Sequence, residues 1–149
     1  NLFIHQEVGD ILETRLRSKT FQKIIGRFPS SVVEFVCRAV NDILADTHPR
    51  GLLAYIIRDK KHTSLGLYLG FLDGVREKIF PEIKTSWLDF QKGQDWGPIE
   101  DARSTGRHKF LRVADDIEEI AALIEDVPDD KILELFQKRI VRPLGLDVS

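Results

Sequence analysis

The segment that follows Ser64 constrains the fold of this chain more than any other. On a helical wheel, apolar residues cover two sides of Leu65–Phe80, and a third side carries three glycines at four-residue spacing, Gly66, Gly70 and Gly74. A helix that is apolar nearly all round is normally buried. The sequence therefore predicts a buried central helix near 64–80, capped by Thr63 or Ser64 and ended or kinked by Pro81.

The three glycines need a physical reason, because each costs up to about 1 kcal/mol of helix stability relative to alanine. Close approach of another backbone would supply it. Two interpretations stay open at this point. In the first, a neighbouring helix, such as the one after Pro98, packs tightly against Gly66, Gly70 and Gly74. In the second, this glycine stripe forms the floor of a groove for a flat ligand or for a helix from another chain.

The rest of the chain shows the apolar spacing of helices. The first predicted helix is Ile4–Arg17, and the second is a short one that Ser18 or Thr20 caps, that holds Phe21 and Ile25, and that Gly26 ends. The other predicted helices are one opened by Pro29 with Glu34 in its first turn, Gly51–Arg58, one from Ile83 up to Gly93, one from Pro98 to Asp126, and one from Pro128 to Ile140. The run Gly51–Arg58 also fits a strand, but one strand among helices would have no partner. The expected fold is an all-α, single-domain bundle of about seven helices over residues 1–149.

Composition narrows the class of protein. The chain has 149 residues, 42% of them hydrophobic, which suits one domain. Its 22 basic residues against 24 acidic ones argue against a dedicated nucleic-acid binder. No apolar stretch approaches the roughly 20 residues that cross a membrane. There is no methionine, even at Asn1, so we expect this chain to be a piece of a longer protein.

The single cysteine, Cys37, lies among apolar residues of a predicted helix. It can form neither an intrachain disulfide nor a thiolate metal site by itself, which favours a cytoplasmic location. An inert core thiol is the expected role of Cys37.

A polar run, Arg58–His62, stands just before the predicted central helix. Backbone N–H groups at a helix start can hold an anion, and Asp59 and His62 could supply two metal ligands. The alternative is a solvated turn between two buried helices. We place Asp59 and His62 with the three glycines in one candidate groove for a ligand or a partner.

Two charged zones are separated in the sequence. The basic zone is Arg15, Arg17, Lys19, Lys23 and Arg27, and the acidic zone is Asp115, Asp116, Glu118, Glu119, Glu125, Asp126, Asp129 and Asp130. The basic zone could attract an acidic partner or serve solubility alone. The acidic zone could face the basic one, face water, or match a charged surface on another molecule.

No arrangement typical of a catalytic site appears, so no catalytic residue and no metal site is assigned. His108, between Arg107 and Lys109, is the candidate for phosphotransfer, and His62 or His108 for a general base. Trp87 and Trp96 flank the polar loop Gln91–Gly97, which they either anchor or close over a ligand as a lid.

The stretch Tyr55–Glu77, with Arg58, Ser64, Gly70, Phe71, Val75 and Arg76, resembles the central part of globin-like sensor modules found at the amino end of bacterial stress-regulatory proteins. The resemblance covers under a fifth of the chain. It implies a globin-like bundle acting as a non-enzymatic signal-input or docking domain, dimeric in some cases, and it transfers no functional residue.

These observations favour a non-enzymatic regulatory or protein-interaction domain that binds a protein partner or a second copy of itself. The alternative is a sensor-like bundle that binds a small ligand or an unknown cofactor beside the glycine stripe. An enzyme with a histidine base is the third hypothesis.

Overall fold

A computed structural model of the chain describes Thr14 and residues 17–146, of which residues 17–27 form helix α1. The helices that follow are α2 (Val32–Thr47), α3 (Leu52–Arg58), α4 (His62–Phe71), α5 (Gly74–Ile79), α6 (Pro81–Gly93), α7 (Gly97–Ala121) and α8 (Asp129–Phe136), with a π-helical turn over Gln137–Val141. The described residues contain no strand, so the predicted all-α bundle is confirmed.

The bundle is organised around α7, which at 25 residues is the longest described helix. It contacts α2, α3, α6 and α8, so most of the fold packs onto this one element. Its buried residues, from Ile99 and Ala102 to Ile117 and Ala121, recur at steps of three and four, as one face of an α-helix requires. Its opposite face is charged, and none of the described helices is long and apolar enough to cross a membrane.

The segment predicted as one buried central helix, Leu65–Phe80, is instead two short helices, of which α4 packs on α3 and α6, and α5 packs on α2. α4 ends at Phe71 and α5 begins at Gly74. Gly74 has a φ of 55°, a left-handed conformation that glycine adopts without strain and that interrupts a right-handed helix. Only two of the ten residues of α4 are buried, so one of its apolar sides faces solvent.

The glycine that does permit close packing is Gly106, on the buried face of α7. A Cβ atom added there would lie 2.6 Å from Cε1 and 2.8 Å from Cζ of Phe80. The Phe80 ring is fully buried and packs edge-on against Phe110, with 5.9 Å between ring centroids. Phe80, which lies between α5 and α6, therefore packs directly on the backbone of α7.

Proline marks several helix starts, as predicted for Pro98, whereas Pro81 was predicted to end or kink the central helix. Pro81 is the first residue of α6, and Pro98 lies in the first turn of α7. Glu34 lies in the first turn of α2 and accepts a hydrogen bond from the Ser30 N–H at 2.5 Å, which lowers the pKa of this carboxyl. The apolar run that also fitted a strand is helix α3, with Gly51 as the residue before it.

The first helical region differs from the prediction. The predicted helix Ile4–Arg17 lies almost entirely outside the described residues. α1 runs without a break over 17–27, so Ser18 and Thr20 lie inside a helix and do not cap one. Serine and threonine cost only about 0.5 kcal/mol relative to alanine inside a helix, so their presence does not require a new start.

The predicted basic zone on α1 faces the predicted acidic zone of the same chain. Among the described residues, four ion pairs join them: Arg17 to Asp115 and to Glu118, at 3.4 Å each, Lys23 to Glu125 at 3.8 Å, and Arg27 to Asp129 at 2.9 Å. Of the alternatives left open, pairing within the chain is the one that the structure shows. Exposed pairs contribute about 0.2–1 kcal/mol each, so they orient α1 more than they stabilise it. Lys19 is exposed, and Arg15 lies outside the described residues.

Two arginines of α7 donate hydrogen bonds to backbone carbonyls at the carboxyl end of α2. Arg103 donates from Nη1 to the Thr47 carbonyl at 2.6 Å, and Arg107 donates from Nη1 to the Leu44 carbonyl at 3.0 Å. Glu100 accepts two more hydrogen bonds from Arg103, at 2.8 and 2.5 Å. Because α2 has no basic residue in its last turn, α7 supplies the positive charge that a helix carboxyl end favours.

Candidate functional site

The three glycines of the predicted groove do not form a close packing surface. A Cβ atom added at Gly66 would lie 3.7 Å from Cη2 of Trp87, an ordinary contact, whereas one added at Gly70 or Gly74 would meet nothing within 4 Å. The expected backbone approach along this stripe is therefore wrong. Because α4 ends at Phe71, Gly74 does not lie on the same helix as the other two glycines. A ligand role for them stays a prediction.

The polar turn before α4 lies at the surface. Asp59 accepts a hydrogen bond from Nε of Arg58 at 3.3 Å. His62 packs its ring edge-on against Phe90 and Trp96, each with 5.4 Å between ring centroids. Within residues 17–146, no three His, Cys, Asp or Glu side chains are grouped so as to hold a metal ion. Asp59 and His62 thus point to different neighbours, and their joint ligand role stays a prediction.

His62 belongs to an aromatic cluster that anchors the loop between α6 and α7. Trp87 stacks on Phe90 with 5.7 Å between centroids and 18° between ring planes. Trp96, in the loop itself, packs edge-on against Phe90 at 4.7 Å. Of the two interpretations of this loop, the geometry shows the anchoring one. Aromatic pairs of this kind contribute about 0.5–1.5 kcal/mol beyond the area that they bury.

Two other residues considered for chemistry are engaged in the fold. His108 is exposed, and its Nδ1 lies 2.8 Å from the Ser104 carbonyl of the same helix. Cys37 is fully buried, and burial raises the pKa of its thiol to about 12. A thiol with this pKa stays protonated at neutral pH, so Cys37 acts as a small apolar core residue.

A groove of about 330 Å³ opens between α3 and α4, at a place that the sequence analysis did not predict. Its α4 wall consists of residues at steps of three and four, which share one helix face: Ser64, Leu67, Tyr68 and Phe71. Leu52 and Ile56, one turn apart, form the α3 wall. Because the start of α3 and the end of α4 line the same groove, the two helices are antiparallel.

The rim of the groove is apolar and exposed to solvent. Leu52 is 49% exposed, Leu67 is 56% exposed, and Phe71 is 73% exposed. Beneath them, Ile56 and Leu72 are buried and join the groove to the core. Apolar side chains that cluster on a surface with polar neighbours mark binding sites more often than isolated ones do.

The floor of the groove carries polar groups at one end. Tyr68 donates its hydroxyl to Oδ2 of Asp46 at 3.1 Å, and Arg76 donates from Nη2 to the Phe71 carbonyl at 3.1 Å. Burial raises the pKa of Asp46, although the Tyr68 hydrogen bond and the Arg76 charge oppose the shift. Burial, together with the Asp46 charge, also raises the pKa of Tyr68. The phenol therefore remains a hydrogen-bond donor throughout the physiological range.

A second cleft, of about 370 Å³, lies between α1, α2 and α7 and is lined by Arg17, His48 and Arg107, among others. The arginines hold the helices together here: Arg17 pairs with Asp115 and Glu118 at 3.4 Å each, and Arg107 caps α2. These side chains serve helix packing, so we take the groove between α3 and α4 as the candidate site.

Comparison with protein families places both clefts within the part of the chain that one family model matches. The family described as "Family of unknown function (DUF6866) C-terminal domain" matches residues 1–139. The chain belongs to this family. Every residue that lines the α3–α4 groove lies inside the part matched to the DUF6866 C-terminal domain. Neither the comparison with curated proteins nor the comparison with solved structures gave a match. The resemblance to globin-like sensor modules stays a prediction.

Sequence reasoning missed the groove because it assigned Leu67 and Phe71 to a helix buried on all sides. A signal for the correct arrangement was present in the dipeptide Asp73-Gly74. Asp-Gly is a turn signal, and here it separates α4 from α5. A helix ending before Asp73 is too short to form the centre of this bundle, and a surface helix has one side free for a partner.

Proposed function

We propose that this chain is a non-enzymatic protein-interaction domain whose α3–α4 groove binds an amphipathic helix of a partner protein. The observation that carries the proposal is the exposure of Leu67 and Phe71 above the buried Ile56 and Leu72. Apolar side chains on one helix face, beside an open groove, are the arrangement that receives an amphipathic helix. The partner helix would insert apolar residues spaced i, i+3 or i+4, and i+7.

The length of the groove sets the size of its occupant. From Ser64 to Phe71 the helix rises about 10 Å, at 1.5 Å per residue, which is about two helical turns. Two turns of a partner helix carry two to three apolar residues on one face, roughly the number of exposed apolar residues on the rim. A short helical segment therefore fits the groove, and a whole domain is not required.

The exposed area predicts a reversible contact. Full burial of a Leu or Phe side chain contributes about 1.5–3 kcal/mol, so burying the rest of Leu52, Leu67 and Phe71 contributes about 3–5 kcal/mol. The partner contributes a similar amount and loses conformational entropy when it orders. A gross total of about 6–10 kcal/mol, reduced by this ordering, corresponds to a Kd weaker than about 1 µM.

No observation at Gly66, Gly70 or Gly74 favours a small-ligand pocket, so the interaction role alone is proposed. A regulatory role follows from the reversibility of the contact. The proposal includes a cytoplasmic location, because a chain whose one cysteine is in the core draws no stability from an oxidising compartment.

A display selection tests the proposal. The probe is a library of helical peptides about four turns long, randomised on one face. The wild-type chain should enrich peptides with apolar residues at helical spacing, and Phe71→Asp should lose them because a carboxylate on the rim opposes apolar burial. Leu88→Asp is the matched control, since Leu88 lies on α6 outside the groove and is 54% exposed. It should keep the same peptides.

Two outcomes would count against the proposal. If the wild-type chain enriches no peptide that depends on Phe71, the groove does not bind helices. The groove could instead be filled by a second copy of this chain, and light scattering tests this. A dimer that Phe71→Asp dissociates and Leu88→Asp preserves would overturn the assignment of a separate partner.

A further inference from the structure

The two ends of the groove carry opposite charge. At the turn between α3 and α4, Arg58 and Asp59 pair with each other at 3.3 Å, and Lys60 and Lys61 add two positive charges. The backbone N–H of Lys61 donates to the Ile56 carbonyl at 3.0 Å. This hydrogen bond folds the backbone of the basic turn against the last turn of α3, to which Ile56 belongs, and Nζ of Lys61 lies 5.3 Å from the ring centroid of Tyr55.

The opposite end is acidic. Asp46 lines the groove and accepts the hydrogen bond from Tyr68, and Asp42 lies one helical turn before it on α2. Arg76 lines the same end, and it pairs with Asp73 at 3.5 Å, so the charge of Arg76 is matched there. The carboxylates of Asp42 and Asp46 give this end its excess of negative charge.

We infer that the groove selects its partner helix by the order of its charges. Acidic residues near the amino end of the partner helix lie over Lys60 and Lys61, and basic residues near its carboxyl end lie over Asp42 and Asp46. The bound helix then runs in the same direction as α4, from the basic end of the groove to the acidic end. This inference rests on the proposed function.

The chain direction follows from the dipole of the partner helix itself. Acidic side chains stabilise a helix near its amino end, and basic side chains stabilise it near its carboxyl end. A partner with this order is stabilised both before binding and in the groove, whereas the reverse order is destabilised before binding. The two ends of the groove lie about 10 Å apart, close to one Debye length at 0.1 M salt, so each end acts mainly on the nearest peptide charges.

The helix library described above tests this inference through a second readout, the charge of the first and last turns of the peptides that depend on Phe71. The wild-type chain is compared with the double variant Lys60→Glu, Lys61→Glu. The matched control carries the same charge changes away from the groove, at the exposed residues Lys92 and Lys138. All variants are compared at low and at physiological salt.

We expect peptides with an acidic first turn and a basic last turn. The double variant at Lys60 and Lys61 should bind them on the order of tenfold more weakly, and the loss should shrink as salt rises. The control at Lys92 and Lys138 should bind as the wild-type chain does. A spin label at the amino end of an enriched peptide should broaden the amide signal of Lys61 more than that of Arg76.

The outcomes separate the two proposals. Peptides that depend on Phe71 but show no charge order, or the reverse order, would overturn this inference and leave the proposed function intact. A stronger effect of the label on Arg76 would refute the chain direction. If no peptide depends on Phe71, the proposed function itself fails, and the inference fails with it.

Discussion

Replacing Gly106 by alanine should destabilise this fold, whereas the same substitution at Gly70 should stabilise it. At Gly106, the new Cβ atom would lie 2.6 Å from the nearest atom of the Phe80 ring, closer than packed atoms tolerate. Phe80 is fully buried against Phe110, so its ring cannot move away freely. At Gly70 the new Cβ atom would meet nothing within 4 Å, and only the helix propensity of the residue changes.

The expected magnitudes follow from two opposing effects. Overpacking a core typically costs about 1–3 kcal/mol, while alanine in place of glycine inside a helix returns about 1 kcal/mol. The free energy of unfolding should therefore fall by about 1 kcal/mol for Gly106→Ala and rise by about 0.5–1 kcal/mol for Gly70→Ala. Urea unfolding measures both values, and each kcal/mol should shift Tm by about 2–4 °C in a chain of this length.

Adding Phe80→Leu to Gly106→Ala completes a double-mutant cycle. Leucine removes the ring atoms that the new methyl group meets, so the loss from Gly106→Ala should be smaller in the Phe80→Leu background. Equal losses in both backgrounds would show that the ring does not limit the packing at Gly106. A loss at Gly70 with no change at Gly106 would refute the reasoning altogether, because it would mean that the close backbone contact lies along α4 and not along α7.

Three further predictions concern other contacts. Phe71→Asp should lower the free energy of unfolding by less than about 1 kcal/mol, and its control Leu88→Asp by about 1 kcal/mol, because Phe71 is 73% exposed and Leu88 is 54% exposed; a clearly larger loss in urea titrations for Phe71→Asp than for Leu88→Asp would place the Phe71 ring in the core. Arg103→Met should lower the free energy of unfolding by about 1.5–3 kcal/mol, because it removes the charged hydrogen bond to the Thr47 carbonyl, and Arg103→Lys should give an intermediate Tm; a wild-type Tm for Arg103→Met would contradict this role. The pKa of Asp46 in the folded chain lies above its value of about 3.9 in the unfolded chain, so the folded state binds the proton of this carboxyl more tightly. The free energy of unfolding should therefore fall as pH rises from about 3.9 through the folded pKa. Asp46→Asn should flatten this pH dependence in urea titrations, and an unchanged slope would show that another group causes it.

The helices were predictable where apolar spacing and proline agree. In α2 and α7, apolar residues recur at steps of three and four, and the remaining positions are mostly polar, so the sequence itself indicates which face is buried. Pro81 and Pro98 supply helix starts that do not depend on tertiary contacts. Such signals are local, so they can be recognised in one sequence without an alignment.

The place of α4 in the fold was not predictable in the same way. Periodicity identifies a buried face by contrast with a polar one, and α4 offers no such contrast. The sequence pattern therefore does not distinguish an apolar residue on the exposed side of α4, such as Leu67, from one in the core. The packing of Gly106 on Phe80 was missed for a related reason, since the two residues are 26 positions apart in sequence (106 − 80) and no local pattern connects them.

The failed prediction about α4 and the proposed binding site have the same physical origin. Phe71 keeps 73% of its surface in water, so it draws little stability from the fold, and a polar residue at this position would fold as well. The apolar character of this side of α4 is therefore not explained by folding. The proposed partner helix would account for it by covering Leu67 and Phe71, and substitution of Phe71 should then separate binding from stability. If Phe71→Asp were instead to unfold the chain, the apolar side of α4 would belong to the core after all, and the basis of the proposed function would be lost.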